Sequence, residues 1–367
     1  MTDAGAYLDA ASSEPLHPAA RETLLAALDR GYADPRRLHK PARDARILLD
    51  NARAVVAEAL GVRPDEVAFT ASGTEAVHRG LLGLARARRA HGDVVVHSEV
   101  EHSAVRHAAT WGGTPRLVGV TPSGQVRAGD LTRAASGGGV AVCALQSANH
   151  EVGTVQPVDR LDLPDGVPLF VDARAAMGRL PLPTGWSTLA GSAHQWGGPA
   201  GVGVLLVRRG VRWENPFPED DRTDHRTSGF ENVPAALAAA AALQAVVADR
   251  DATNARQHAQ VGRIRAAAAA LPDTDVVGDP VDRLPHLVTF SCLYVNGEAL
   301  VTELDRRGFG VASGSACTAS SLEPSHVLAA MGALTHGNLR VSVSRETTDD
   351  QVDAFCAALP DVVAGLR

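Results

Sequence analysis

Lysine is almost missing from this chain. Of its 35 basic residues only Lys40 is a lysine, so amine chemistry has a single candidate side chain. Long apolar runs are missing too. No stretch approaches the ~20 residues that span a bilayer, which excludes a membrane helix. No basic run interrupts a net charge of −7, which argues against nucleic acid or an anionic membrane as partner. Cysteine is scarce. Cys143, Cys292, Cys317 and Cys356 are scattered without metal-ligand spacing, so neither a metal site nor a disulfide frame is expected. Reduced thiols fit a cytosol. The opening Met-Thr-Asp-Ala-Gly-Ala-Tyr lacks a charged-then-apolar leader pattern, so a cytoplasmic protein is expected. Aromatics are 4% of the residues, and their scarcity points to no function. Internal repeats and low-complexity tails are absent as well.

What is present is an ordinary globular composition, 45% apolar and 21% charged over 367 residues. That length predicts one large lobe and one smaller lobe. Apolar strands alternate with amphipathic helices, which predicts an α/β architecture. Val67–Ala71, Val94–His97, Val140–Leu145, Pro168–Asp172 and Val202–Val207 read as strands. Continuous apolar runs such as Val140–Leu145 and Pro168–Asp172 suit buried parallel strands. Ala235–Asp249 reads as a long helix, and a fresh helix-and-strand pattern starts near Ala252. The expected lobes are residues 14–250, and residues 1–13 with 251–367. Gly210–Gly229 is polar and Pro/Asp/Arg-rich, as a surface loop would be.

Several segments carry chemistry. Thr70-Ala-Ser-Gly-Thr-Glu-Ala sits between a strand and a helix, and its small residues Gly73 and Thr74 let backbone N–H groups approach an anion. The same segment also reads as a plain helix cap. Asp172 ends an apolar strand, where α/β folds place functional groups, and it reads equally as an N-cap. His102 opens a helical segment and could stack on a flat cofactor, shuttle protons or be structural. His194 is similarly open. Val311–Ser321 is a run of small residues around Cys317, which reads as a mobile loop carrying a nucleophilic thiol in preference to a buried, inert cysteine, since its neighbours are polar. Arg340 lies in a strand-like alternation, where its fork suits a carboxylate or a surface salt bridge.

The order and spacing of these pieces resemble the cysteine desulfurases of the class V aminotransferase family. The resemblance runs through Tyr7-Leu-Asp, Ser72-Gly-Thr, Glu101-His102, Ala148-Asn-His-Glu, Val171-Asp172, Ser192-Ala-His-Gln, Glu231-Asn-Val-Pro and Leu339-Arg-Val-Ser. Its most specific piece is Ser313-Gly-Ser-Ala-Cys-Thr-Ala-Ser-Ser-Leu-Glu-Pro-Ser325. The resemblance implies fold type I of the pyridoxal phosphate (PLP) enzymes, with a large mostly parallel sheet flanked by helices and a smaller α+β domain. It implies a dimer with shared sites, PLP, and a cysteine substrate whose sulfur passes to Cys317 as a persulfide. By the same resemblance Thr74, Ser192 and His194 are phosphate-site residues, and Gly73 lies in that turn. His102 is the ring-stacking histidine, Asp172 the pyridine-nitrogen partner and Arg340 the substrate-carboxylate arginine.

The departures are as specific as the matches. Gln195 stands where the family has the Schiff-base lysine, which is both covalent anchor and proton-transfer base. Ala175 replaces a glutamine at the ring oxygen. His150 and His78 replace asparagines, and Phe230 replaces a threonine that reaches a partner subunit's phosphate. Lys40, in a loop before a helix, is a poor substitute. Three functions follow as expectations. The first is a desulfurase-like pseudoenzyme with a degenerate PLP site, keeping sulfur relay through Cys317. The second is a working desulfurase or lyase holding PLP non-covalently, with His102 or His150 as base. The third is a non-catalytic scaffold or regulatory partner. PLP would be bound non-covalently or not at all. Partners would be a second copy or a paralogue, and a sulfur-acceptor protein.

Overall fold

The computed structural model describes residues 5–219, 224–313 and 324–367. The described strands, in chain order, are β1 (Ala6–Tyr7), β2 (Val67–Thr70), β3 (Val94–Ser98), β4 (Thr114–Val118), β5 (Val140–Gln146), β6 (Leu169–Asp172), β7 (Thr188–Ser192), β8 (Gly203–Val207), β9 (Thr274–Val277), β10 (Leu287–Cys292), β11 (Phe309–Gly310) and β12 (Asn338–Ser342). The helices are α1 (Pro18–Leu28), α2 (Lys40–Leu60), α3 (Gly73–Ala87), α4 (Ser103–Gly112), α5 (Ala128–Ala135), α6 (Val233–Ala248), α7 (Arg250–Ala269), α8 (Gly297–Arg306), α9 (His326–Met331) and α10 (Asp349–Leu366).

Seven strands form the main sheet in the order β2-β8-β7-β6-β5-β3-β4. All run parallel except β8, which is antiparallel to both neighbours. An apolar run such as Val202–Val207 says that a strand is buried, not which way it points. Alternate side chains feed opposite faces. Cys143, Leu145, Val171 and Leu189 pack toward α2 and α6. Val142, Ala144, Phe170 and Ala190 pack toward α3 and α4.

α3 starts at Ser72, whose hydroxyl accepts the Glu75 N–H at 3.0 Å, while the Glu75 carboxylate accepts the Ala71 N–H at 2.8 Å. α6 is apolar all round, as a helix buried on several sides must be. Its alanines let α1 and α2 pack closely against it. Asp249 breaks the chain between α6 and α7.

A second core gathers around the antiparallel sheet β12-β10-β9. Phe290, Leu339, Val341 and Phe355 meet Val261 and Ile264 of α7 there, together with Ala6 and Leu8 from the start of the chain. β1 pairs with β11, which ties the N-terminal strand to this unit. Among the described residues no single helix is long and apolar enough to cross a membrane.

Candidate functional site

The parallel strands all end on one edge, and the loops leaving that edge build a cleft. β6 delivers Asp172, β7 delivers Ser192, and the turn after β7 delivers His194 and Gln195. His102 caps α4 just after β3, its Nδ1 accepting the Ala104 N–H at 3.0 Å. The β2–α3 turn adds Gly73 and Thr74, β12 adds Arg340, and the N-terminal segment adds Ala11 and Ser12. These residues, with His150, Arg174 and Ala175, line one cavity of about 540 Å³. His78 sits half-buried on α3, and Phe230 is half-exposed; neither lines the cavity. Cys317 lies outside the described residues. A wider polar groove of about 1320 Å³ lies elsewhere. Its Arg36 and Arg226 are already paired with Glu231 and Asp224, so the smaller cleft is the candidate site.

Arg174 is the residue that sequence reasoning missed. Its guanidinium grips both oxygens of Asp172, with Nε at 2.9 Å from Oδ1 and Nη2 at 2.6 Å from Oδ2. The Arg174 backbone N–H adds a third bond to Oδ1 at 3.1 Å. No helix starts here, so Asp172 serves this turn and not an N-cap. Burial alone would push the Asp172 carboxyl up, but the adjacent guanidinium outweighs it and holds the group below the usual range. The only sequence signal was an opposite charge two residues after the Asp.

Gln195 is equally committed. Its amide nitrogen donates to the Ala11 carbonyl at 3.1 Å and the Ser12 carbonyl at 3.2 Å. The turn that holds it is locked by buried Trp196, whose Nε1 donates to the Ala239 carbonyl at 3.0 Å. Gly197 closes the turn with φ of 81°, a left-handed conformation that suits glycine. Arg340 donates to Asp9 at 2.9 Å, to Ser12 and to the His150 carbonyl at 3.2 Å. Its Nε has no partner among the described residues.

Burial disfavours the charged form of the cleft imidazoles. Burial, then the charge of Arg174, pushes His102 down to about 4. The buried His150 ring meets it edge-on at 4.7 Å, and burial holds that group well below its ordinary value. His194 is lowered by burial and then by Arg174, and its Nδ1 lies 3.1 Å from Ser192 Oγ.

Beneath the cleft, Glu101 is fully buried and accepts from Ser98 Oγ at 2.7 Å and the Gln146 N–H at 3.0 Å. Burial outweighs these bonds and lifts its carboxyl from 4.5 to about 7. The folded protein therefore holds this proton more tightly than the unfolded chain. That contribution is complete below about pH 4.5 and is lost as pH rises through about 7. Wild-type stability should fall across that window by up to about 3 kcal/mol more than that of Glu101→Gln. Urea midpoints of both proteins at several pH values check this; parallel profiles would contradict it.

Comparisons with known proteins agree with this architecture. The family described as Aminotransferase class-V matches residues 6–355. An IscS-like cysteine desulfurase of Mycobacterium tuberculosis is 36% identical over 99% of this chain and 97% of its own length. A cysteine desulfurase of Trichormus azollae is 33% identical over 98% of this chain and 93% of its own. A solved structure of a NifS-like protein superposes with a TM-score of 0.90 at 24% identity, covering 99% of this chain and all of that one.

Proposed function

Since this chain belongs to the class V aminotransferase family, we propose that it is a cysteine desulfurase-like protein whose cofactor site is degenerate and whose remaining chemistry is sulfur relay through Cys317. The family implies PLP, and the residues of this cleft do not fit that group as a covalent cofactor. The observation that carries the reading is Gln195: at the position of the Schiff-base lysine stands an amide already bonded to two backbone carbonyls. Lys40 offers no replacement. It opens α2, exposed and paired with Asp44 at 2.8 Å, and does not line the cavity.

The neutral histidines weigh against catalysis with a non-covalent cofactor. A general base works best when its pKa lies near the working pH. His102, held to about 4 by burial and then by Arg174, is a weak base at neutrality, and burial shifts His150 in the same direction.

Sulfur relay needs neither group. The Cys317 thiolate attacks the outer sulfur of a small persulfide, the donor's S–S bond breaks, and the donor thiolate leaves. One S–S bond is exchanged for another, so no oxidant is required. A homodimer belongs to the proposal, supported by exposed apolar side chains on and between α1 and α2: Leu28, Tyr32, Leu38 and Ile47.

The test is incubation with cysteine and added PLP, measuring alanine release. Alanine formation is expected to stay at the level of PLP without protein. Repeated turnover would overturn the reading.

A further inference from the structure

Arg174 has no role in the resemblance, yet it stands at the centre of the cleft. Its side chain and that of Asp172 are 13% and 6% exposed, so this is no solvated surface pair. Three hydrogen bonds from the guanidinium and one from the backbone pin it. The stem passes directly over the first turn of α3. A Cβ on Gly73 would lie 2.8 Å from Arg174 Cδ and 2.5 Å from Ser192 Cβ, so the glycine leaves the stem its space.

The geometry points to Arg174 as a specificity-determining residue: a tethered guanidinium that takes up the carboxylate of Asp172 and so shuts pyridine-ring cofactors out of the cleft. This rests on the degenerate-site reading above and adds a second, independent lock to it. A cationic ring nitrogen needs an unengaged carboxylate. Here both Asp172 oxygens are engaged, and a ring cation approaching them would meet a like charge. Displacing Arg174 would not be cheap, because swinging it away breaks the three guanidinium hydrogen bonds to Asp172, where one ring N–H can restore at most one. Restoring an amine at position 195 is therefore not enough to restore the cofactor.

The test compares four full-length chains: wild type, Gln195→Lys, Arg174→Ala, and the double variant. PLP is titrated into each, borohydride is added, and residue 195 is mapped by peptide mass spectrometry. PLP affinity is read separately from the change in protein fluorescence. Gln195→Lys alone is expected to trap little PLP and to bind it within about threefold of wild type. The double variant is expected to bind at least about tenfold tighter than Gln195→Lys and to trap PLP at residue 195. Arg174→Gln, which removes the charge and keeps an amide donor, repeats the comparison if Arg174→Ala fails to fold. Equal trapping in Gln195→Lys and the double variant would overturn the assignment, as would a double variant that binds no tighter. The failures are separable: an adduct on the wild-type chain would sink the degenerate-site reading, whereas equal behaviour of the two lysine-bearing variants sinks only the role of Arg174.

Discussion

Arg179→Met is expected to destabilise the protein by about 3–5 kcal/mol, the cost of leaving one partner of a buried ion pair alone. Arg179 and Glu14 are both buried, and Nη2 lies 2.6 Å from Oε1. The pair sits at a junction. Nη2 also reaches the Gln195 carbonyl and Nη1 reaches Gln257 of α7, each at 3.4 Å. Asn254 of α7 donates to the Arg179 carbonyl at 2.7 Å. The Glu14 backbone N–H donates to the His194 carbonyl at 2.8 Å. Among the described residues, removing the guanidinium leaves the Glu14 carboxylate with Arg345, 3.7 Å away, as its ion-pair partner. It also loosens the turn that aims Gln195. Arg345→Met, which loses that longer contact together with a hydrogen bond to the Pro15 carbonyl at 3.0 Å and an ion pair with Glu346 at 3.3 Å, should cost less, about 1–2 kcal/mol. Urea unfolding midpoints at constant slope measure both. A cost below about 1 kcal/mol for Arg179→Met would show that the junction is not held this way.

Cys317 is expected to carry nearly all thiol reactivity, with Cys317→Ser losing persulfide loading. The other three thiols are suppressed by their surroundings. Cys143 is fully buried in β5, where burial pushes it from 9.0 up to about 12. Its thiolate at neutral pH is then about a thousandfold scarcer than that of an ordinary cysteine. Burial also raises Cys292, whose sulfur lies 3.6 Å from Thr274 Oγ1, and Cys356, which packs against the smaller core. Alkylation with peptide mapping should label Cys317 at least about tenfold faster than any of them. A tag-switch assay after incubation with a persulfide donor should then report sulfur in wild type and not in Cys317→Ser. Faster labelling of Cys356, or unchanged loading in the Ser variant, would remove the relay and leave a scaffold.

Much of the fold was legible because it depends on local pattern. The apolar runs at Val140 and Pro168 read as buried strands, and the Ser-Gly-Thr turn at 72–74 read as a helix cap, which is where α3 starts. The reversed direction of β8 was not legible, since direction is set by connections and not by apolar content. Asp172 and Ser192 at strand ends and the turn at Gly73, picked out in the sequence, do line one cavity. The side-chain pairing of that cleft was not legible. Gln195 bonds to carbonyls 184 and 183 residues away, and His102 meets His150 across the cleft. Arg174 lies only two residues from Asp172, yet no periodicity says that it folds back.

The most direct measurement of the central claim is borohydride reduction of the purified wild-type chain after incubation with PLP, followed by intact-mass and peptide analysis. The account predicts an unmodified chain, because Gln195 has no amine to condense with the aldehyde and Lys40 stands outside the cleft. A stoichiometric reduced PLP adduct on a cleft residue or on Lys40, as distinct from the terminal α-amine, would contradict it.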